Sequence, residues 1–131
     1  MAGASYLDAS ALVKLVVEEP GSWALGDFIR DRRVVSSDVA RVELPRSIRR
    51  LGLSVAAQAR AAEVLSKITL LKLERATLAR AVQVEPVELR SLDAIHLASA
   101  LSVPELETFV TYDLRLAAAA EAAGLSVAAP G

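Results

Sequence analysis

The sequence predicts an α/β fold: a three-layer α/β/α sandwich with a central, mainly parallel sheet. Two observations carry this. Short apolar runs rich in β-branched and aromatic residues ("ASYL", "VVS", "TLLKL", "TFVTY", "LSVA") recur along the chain. Between them lie stretches with helical apolar periodicity, and strands that alternate with helices build βαβ units and parallel sheets. No repeat, linker or composition break divides the 131 residues, so a single domain spanning 1–131 is expected.

Each element has a local reason. "ASYL" is followed by Asp8 and a helical pattern, "SALVKLVVEE", that Pro20-Gly21 stops. "SWALGDFIRDRR" resumes as a helix, and "VVS" is a strand. Ser36, Ser37 and Asp38 offer N-cap chemistry for a third helix, "VARVELPRSIRRLG", closed by Gly52. Pro45 lies inside that helix, where its missing N–H predicts a kink just after Glu43. "SVAAQARAAEVLSKI" is a helix and "TLLKL" a strand. The helices "ERATLARAVQ" and "SLDAIHLASAL" follow, then the strand "TFVTY", the helix "DLRLAAAAEAAG" and a last strand in "LSVA".

Composition narrows the function. No apolar run approaches the roughly 20 residues of a membrane span. The opening "MAGASYLDAS" has neither a basic region nor a long apolar stretch, so no signal peptide is expected. With no cysteine, disulfides, thiolate zinc sites and cysteine nucleophiles are excluded together, and a cytoplasmic setting is the simplest expectation. The net charge of −1 predicts no polyanion partner for the molecule as a whole. Charge is nevertheless uneven: seven arginines (30, 32, 33, 41, 46, 49, 50) crowd between Phe28 and Arg50. Arginine forks suit phosphate, although a solvated helix face gives the same pattern.

Four acids call for an explanation. Ligands of open parallel sheets bind beyond the carboxyl ends of the strands. Asp8 ends "ASYL", and Asp113 ends "TFVTY". Asp93 heads a helix whose stripe continues through Leu97 and Leu101, and helix starts that follow strands lie on the same edge. Glu43 sits at the rim of the Ala40/Leu44/Ile48 face. Each has an innocent role: helix capping for Asp8 and Asp113, a helix-dipole contact for Asp93, an i,i+3 pair with Arg46 for Glu43. Jointly the innocent roles fare worse. A dipole contact of at most about 1 kcal/mol does not offset the several kcal/mol of burying an unpaired carboxylate. Either Asp93 protonates, or its helix start is exposed, or a cation neutralises the cluster.

The donor set restricts that cation. His96 is the sole histidine, which excludes His-rich zinc and iron sites. An all-oxygen set suits Mg²⁺, with Mn²⁺ as a substitute. His96 lies at the edge of the Asp93 stripe and is expected to pack or support rather than ligate. No G-x-S-x-G elbow, Walker loop or dinucleotide-binding turn is present.

At these residues the chain resembles the PIN-domain ribonucleases, specifically the VapC toxins of type II toxin–antitoxin pairs. The strand-end D-x-S motif is matched by Asp8-Ala9-Ser10, and the glutamate of the third helix by Glu43. The R-x-x-D-A-x-H-L-A motif is matched by "RSLDAIHLA" with Asp93, and the closing T-x-D by Thr111-Tyr112-Asp113. The motifs come in order and cover nearly the whole chain; Pro45 is the one departure.

The resemblance implies a metal-dependent endoribonuclease toxin, with tRNA or another structured RNA as substrate. Asp8 and Asp93 would be the direct Mg²⁺ ligands. Glu43 and Asp113 would complete the acidic pocket, binding a second ion or orienting water. Ser10 and Thr111 would steady the carboxylates by hydrogen bonds. Because acids repel an RNA backbone, Arg46, Arg49 and Arg50 become candidate RNA contacts. The implied partners are a VapB-like antitoxin, laid across a groove near the first helices with Trp23 and Phe28 as candidate anchors, and a second copy of the chain in a homodimer. The rivals are a catalytically inactive PIN-like binding module and a phosphoacceptor receiver domain. "LSVAAPG" lacks the lysine a receiver needs after its last strand.

Overall fold

The structure, a computed structural model, describes residues 3–131. Met1 and Ala2, the first residues of the stretch read as lacking a targeting signal, lie outside the described residues.

The centre is one sheet of five parallel strands: β1 (Ala4–Leu7), β2 (Arg33–Ser37), β3 (Thr69–Leu71), β4 (Thr108–Val110) and β5 (Val127–Ala128). Their spatial order is β3-β2-β1-β4-β5. The register pairs Tyr6 with Val35 on one side and Phe109 on the other. The chain therefore builds outward from β1 through β2 to β3, then crosses back to lay β4 on the opposite side of β1. That reversal is the topological switch point, where the crevice of a doubly wound sheet opens.

β1 is buried along its whole length, because a central strand covered on both faces needs a continuous apolar run rather than alternation. Its side chains still divide between the faces. Leu7 and Val110 pack with Leu12, Leu25, Leu44 and Ile48 beneath α1 (Ala9–Val16), α2 (Ser22–Ile29), α3 (Ala40–Arg50) and α4 (Val55–Ser66). Tyr6, Val35 and Phe109 pack with Leu97, Ala100 and Leu116 beneath α6 (Ser91–Leu101) and α7 (Leu114–Ala122). The remaining helix, α5 (Arg75–Gln83), lies against α6. The expected three layers are present, and the sheet is wholly parallel.

Several boundaries differ from expectation, each for a local reason. α1 ends at Val16, ahead of Pro20, because Val17 turns extended and Ser22 Oγ donates to its carbonyl. α2 ends at Ile29, and the basic run beyond it feeds β2. Ser36 and Ser37 belong to β2 rather than to a helix cap. Ser36 Oγ donates to the Leu7 carbonyl at 2.7 Å, while Ser37 Oγ accepts from Val39 N–H. "TFVTY" yields strand only over Thr108–Val110, freeing Thr111 and Tyr112 for the sheet edge. α3 is helical without a break through Pro45.

Candidate active site

The three central strands deliver three of the acids, and α6, which follows α5 rather than a strand, brings the fourth. Asp8 follows β1 and caps α1. Glu43 lies in the first turn of α3, just beyond β2, and Asp113 caps α7 just beyond β4. Asp93 lies in the first turn of α6. All four sit at the carboxyl edge of the sheet, around the switch point at β1.

Asp8 is the most constrained. It is 3% exposed, and each carboxylate oxygen is held. Oδ1 accepts from Ser10 Oγ at 2.7 Å and from Ala11 N–H at 3.0 Å, and Oδ2 accepts from Thr111 Oγ1 at 2.6 Å. Thr111 and Ser10 also tie the two strand ends together: Asp113 N–H donates to Thr111 Oγ1 and Tyr112 N–H to Ser10 Oγ. Burial pushes the Asp8 carboxyl above the usual range, against the pull of these hydrogen bonds.

Asp93 is half-buried. Burial raises its carboxyl first, and the negative charges of Asp113 and Asp8 raise it further. Asp113 directs Oδ1 into its own helix, accepting from Arg115 N–H at 2.9 Å and Leu116 N–H at 3.0 Å. Glu43 makes no pair with Arg46. Instead its Oε1 lies 2.6 Å from His96 Nε2, and His96 Nδ1 lies 2.7 Å from the Tyr6 hydroxyl. His96 is fully buried rather than at the margin of its helix stripe. Reading the sequence missed Tyr6. Its signal was its place two residues before Asp8 on one strand, which turns both side chains to the same face.

Among the described residues no group of three or more acids and histidines stands ready-made at metal-ligating positions. The donor set still fits a hard divalent ion. It is all oxygen, among the described residues no hydrogen bond holds the Asp93 carboxylate, and the charges of Asp113 and Asp8 disfavour its own. Mg²⁺ takes one or two carboxylates and fills its other positions with water and phosphate rather than with a protein cage.

Of the crowded arginines, Arg30 pairs with Asp27, Arg32 with Glu107 and Arg41 with Asp38. Arg46, Arg49 and Arg50 are exposed on α3 and form no ion pair among the described residues. Arg50 lines a cavity of about 360 Å³ that reaches Ser10 and Tyr112. Away from the acids, a groove of about 640 Å³ runs between α1, α2 and α4, lined by Lys14, Trp23, Arg30 and Arg60. Trp23 is 79% exposed, whereas Phe28 turns inward against the core and stacks on Arg32. No helix among the described residues is long and apolar enough to cross a membrane.

A five-stranded parallel sheet with acids gathered at its switch point is compatible with metal-assisted phosphate chemistry. Residues 5–125 match the PIN domain family, and the chain belongs to it. Within that family it falls with the VapC ribonucleases. It is 43% identical to ribonuclease VapC46 of Mycobacterium tuberculosis over 97% of this chain and 98% of that one. Among solved structures, the fold is similar to M. tuberculosis VapC20, a sarcin–ricin loop cleaving toxin, with TM-score 0.74, 18% identity and 96% and 99% coverage of the two chains. It is likewise similar to a chain of Rickettsia felis VapBC2 bound to a DNA fragment from their promoter, with TM-score 0.74, 10% identity and 98% and 99% coverage.

Proposed function

We propose that the chain is a Mg²⁺-dependent endoribonuclease toxin that hydrolyses phosphodiester bonds in tRNA or another structured RNA and is neutralised by a VapB-like antitoxin. The observation that carries this is the meeting of Asp8, Asp93 and Asp113, each from a different part of the chain: burial raises the Asp8 carboxyl, and burial with the charges of Asp113 and Asp8 raises that of Asp93. Such crowding costs stability unless a cation offsets it.

Asp8 and Asp93 would hold the ion, with Glu43 and Asp113 completing its surroundings; Mn²⁺ would substitute. When bound, the ion supplies a nucleophilic hydroxide at neutral pH and stabilises charge on the phosphate and leaving oxygen. The protein's own part is positioning. Ser10, Thr111 and Ala11 N–H fix both oxygens of Asp8, and the strand ends they join fix Asp113 relative to it. Arg46, Arg49 and Arg50 share α3 with Glu43 and would offset the acids' repulsion of an incoming RNA backbone. The relatives support the RNA substrate by name, and the likeness to the VapBC2 complex supports the antitoxin. The groove beside exposed Trp23, with Lys14, Arg30 and Arg60 on its walls, suits an amphipathic segment of that partner. Trp23 is the better anchor, since Phe28 is committed to the core. A homodimer completes the proposed assembly.

Purified protein incubated with total RNA and Mg²⁺ or Mn²⁺ should cleave it at discrete positions, and chelator should stop cleavage. Asp8→Ala and Asp93→Ala should each abolish it. RNA binding without metal-dependent cleavage would show an inactive binding module instead.

A further inference from the structure

Behind the acids lies a buried polar chain whose inner members, Tyr6 and His96, have no part in the proposed mechanism. Tyr6, on β1, sends its hydroxyl to His96 Nδ1 at 2.7 Å, and His96, on α6, sends Nε2 to Glu43 Oε1, on α3, at 2.6 Å. Tyr6 and His96 are fully buried, while Glu43 retains a small solvent-facing edge. Tyr6 has little freedom: it stacks on Phe109 at 5.4 Å between centroids and meets the His96 ring edge-on at 5.7 Å.

The donor and acceptor inventory fixes the direction of the chain. An ionised Glu43 only accepts, so His96 must donate from Nε2. In a neutral imidazole Nδ1 is then the acceptor, and the partner it needs is an O–H donor. Tyr6 is that donor: its hydroxyl lies 2.7 Å from Nδ1, and a phenol carries its proton at neutral pH. A phenylalanine would fill the same space between Phe109 and His96 but leave Nδ1 an orphan acceptor in a dry interior. The imidazole would then gain by moving its proton to another site or by turning, and either releases Glu43.

We propose that Tyr6 and His96 are positioning residues for the nuclease site: the Tyr6 hydroxyl locks His96 as the Nε2–H tautomer, and His96 aims the Glu43 carboxylate at the divalent ion. The chain spans three elements, β1, α6 and α3, so it couples the placement of Glu43 to the strand that carries Asp8 and the helix that carries Asp93. It also offsets the freedom Glu43 would have beside Pro45, which removes a backbone hydrogen bond from the same helix. The inference rests on the metal-site reading above, and the test separates the two.

His96 is the sole imidazole of the chain, so its nitrogen resonances identify the tautomer without assignment ambiguity. In ¹⁵N-labelled, metal-free protein at mildly alkaline pH, long-range ¹H–¹⁵N correlation should show a protonated Nε2 and a bare Nδ1. Tyr6→Phe should lose that pure pattern while keeping the native amide spectrum. Mn²⁺ titration without RNA, followed by its electron paramagnetic resonance, should show affinity lowered about 10- to 100-fold in Tyr6→Phe and in His96→Leu, the range typical of residues that orient ligands. His96→Gln, which restores an N–H near the Nε2 position, should recover part of the loss. A protonated Nδ1 in the unmutated protein, or unchanged Mn²⁺ affinity in both Tyr6→Phe and His96→Leu while Asp93→Asn abolishes binding, would overturn the relay alone. Unchanged Mn²⁺ affinity in Asp93→Asn would overturn the metal site and the relay with it.

Discussion

Thr111→Val tests how the edge of the sheet holds its central acid. The Thr111 hydroxyl is buried and donates to Asp8 Oδ2 at 2.6 Å. Valine keeps the volume and removes the hydroxyl, both as donor to Asp8 and as acceptor from Asp113 N–H. Asp8 is 3% exposed, so water cannot replace it. A hydrogen bond to a charged group contributes about 1.5–3 kcal/mol, and that is the expected loss in metal-free protein at neutral pH. The Asp113 N–H that also uses Thr111 sits at a half-exposed helix end, where water substitutes, and adds little. For a chain of this size the loss corresponds to roughly 5–15 °C in melting temperature. The pH dependence separates this cause from packing. Burial holds the folded Asp8 carboxyl above its unfolded value, and the Thr111 bond opposes the rise. Removing the bond raises it further. A group raised on folding contributes stability that is present below its unfolded pKa and lost as pH rises through its folded pKa. The variant therefore loses most at neutral pH, and its gap from the unmutated protein narrows in acid, where both carry a protonated Asp8. Urea unfolding with chelator, at neutral and mildly acidic pH, measures both. A gap independent of pH, or one below about 0.5 kcal/mol, would refute the reasoning.

Three further changes have defined outcomes. Asp93→Asn removes the charge that burial, Asp113 and Asp8 all disfavour, so metal-free protein should become slightly more stable at neutral pH while cleavage falls at least about 100-fold; calorimetry and an RNA cleavage assay on the same preparation check the pair. Converting Arg46, Arg49 and Arg50 together to glutamine should flatten the salt dependence of RNA binding by about 0.7 log–log units per lost phosphate contact, with no change in folding; an unchanged slope removes these residues from the RNA path. Trp23→Ala should leave stability within about 0.5 kcal/mol, as its exposure dictates, yet weaken antitoxin binding more than 10-fold by calorimetric titration.

What the sequence revealed, and what it hid, follows from the range of each interaction. The alternation of strands and helices rests on periodicity within a few residues, and all five strands were legible. Their lateral order was not: that β4 lies beside β1 depends on packing across distant segments. Capping by Asp8 and Asp113 was readable because it is local. The Ser36–Asp38 stretch misled for the same reason, since its serines match a cap by type but serve the sheet, where Ser36 holds the Leu7 carbonyl. The Tyr6–His96–Glu43 chain could not be read, because its partners lie 90 and 53 positions apart and meet only once both faces of the sheet are covered. Wheel geometry put His96 at the edge of a stripe, and the burial of α6 on nearly all sides after Ala94 put it inside.

Capping and metal ligation, weighed as alternatives for the strand-end acids, are compatible in the folded protein. An ionised carboxylate offers about four acceptor positions, and a cap uses two of them. Asp113 spends Oδ1 on the Arg115 and Leu116 N–H groups and has Oδ2 left over. The helix that follows a strand thus orients its acid at no separate cost, which explains why acids at two strand ends can share one edge without a dedicated scaffold. Asp113→Asn separates the roles. Asparagine caps about as well as aspartate, so α7 and the global stability should hold within about 0.5 kcal/mol. The charge is gone, so Asp93 should titrate closer to its ordinary value and Mn²⁺ should bind more weakly. If instead stability drops by the roughly 1 kcal/mol of a lost cap while Mn²⁺ affinity stays, Asp113 serves only its helix, and the acid pocket is smaller by one.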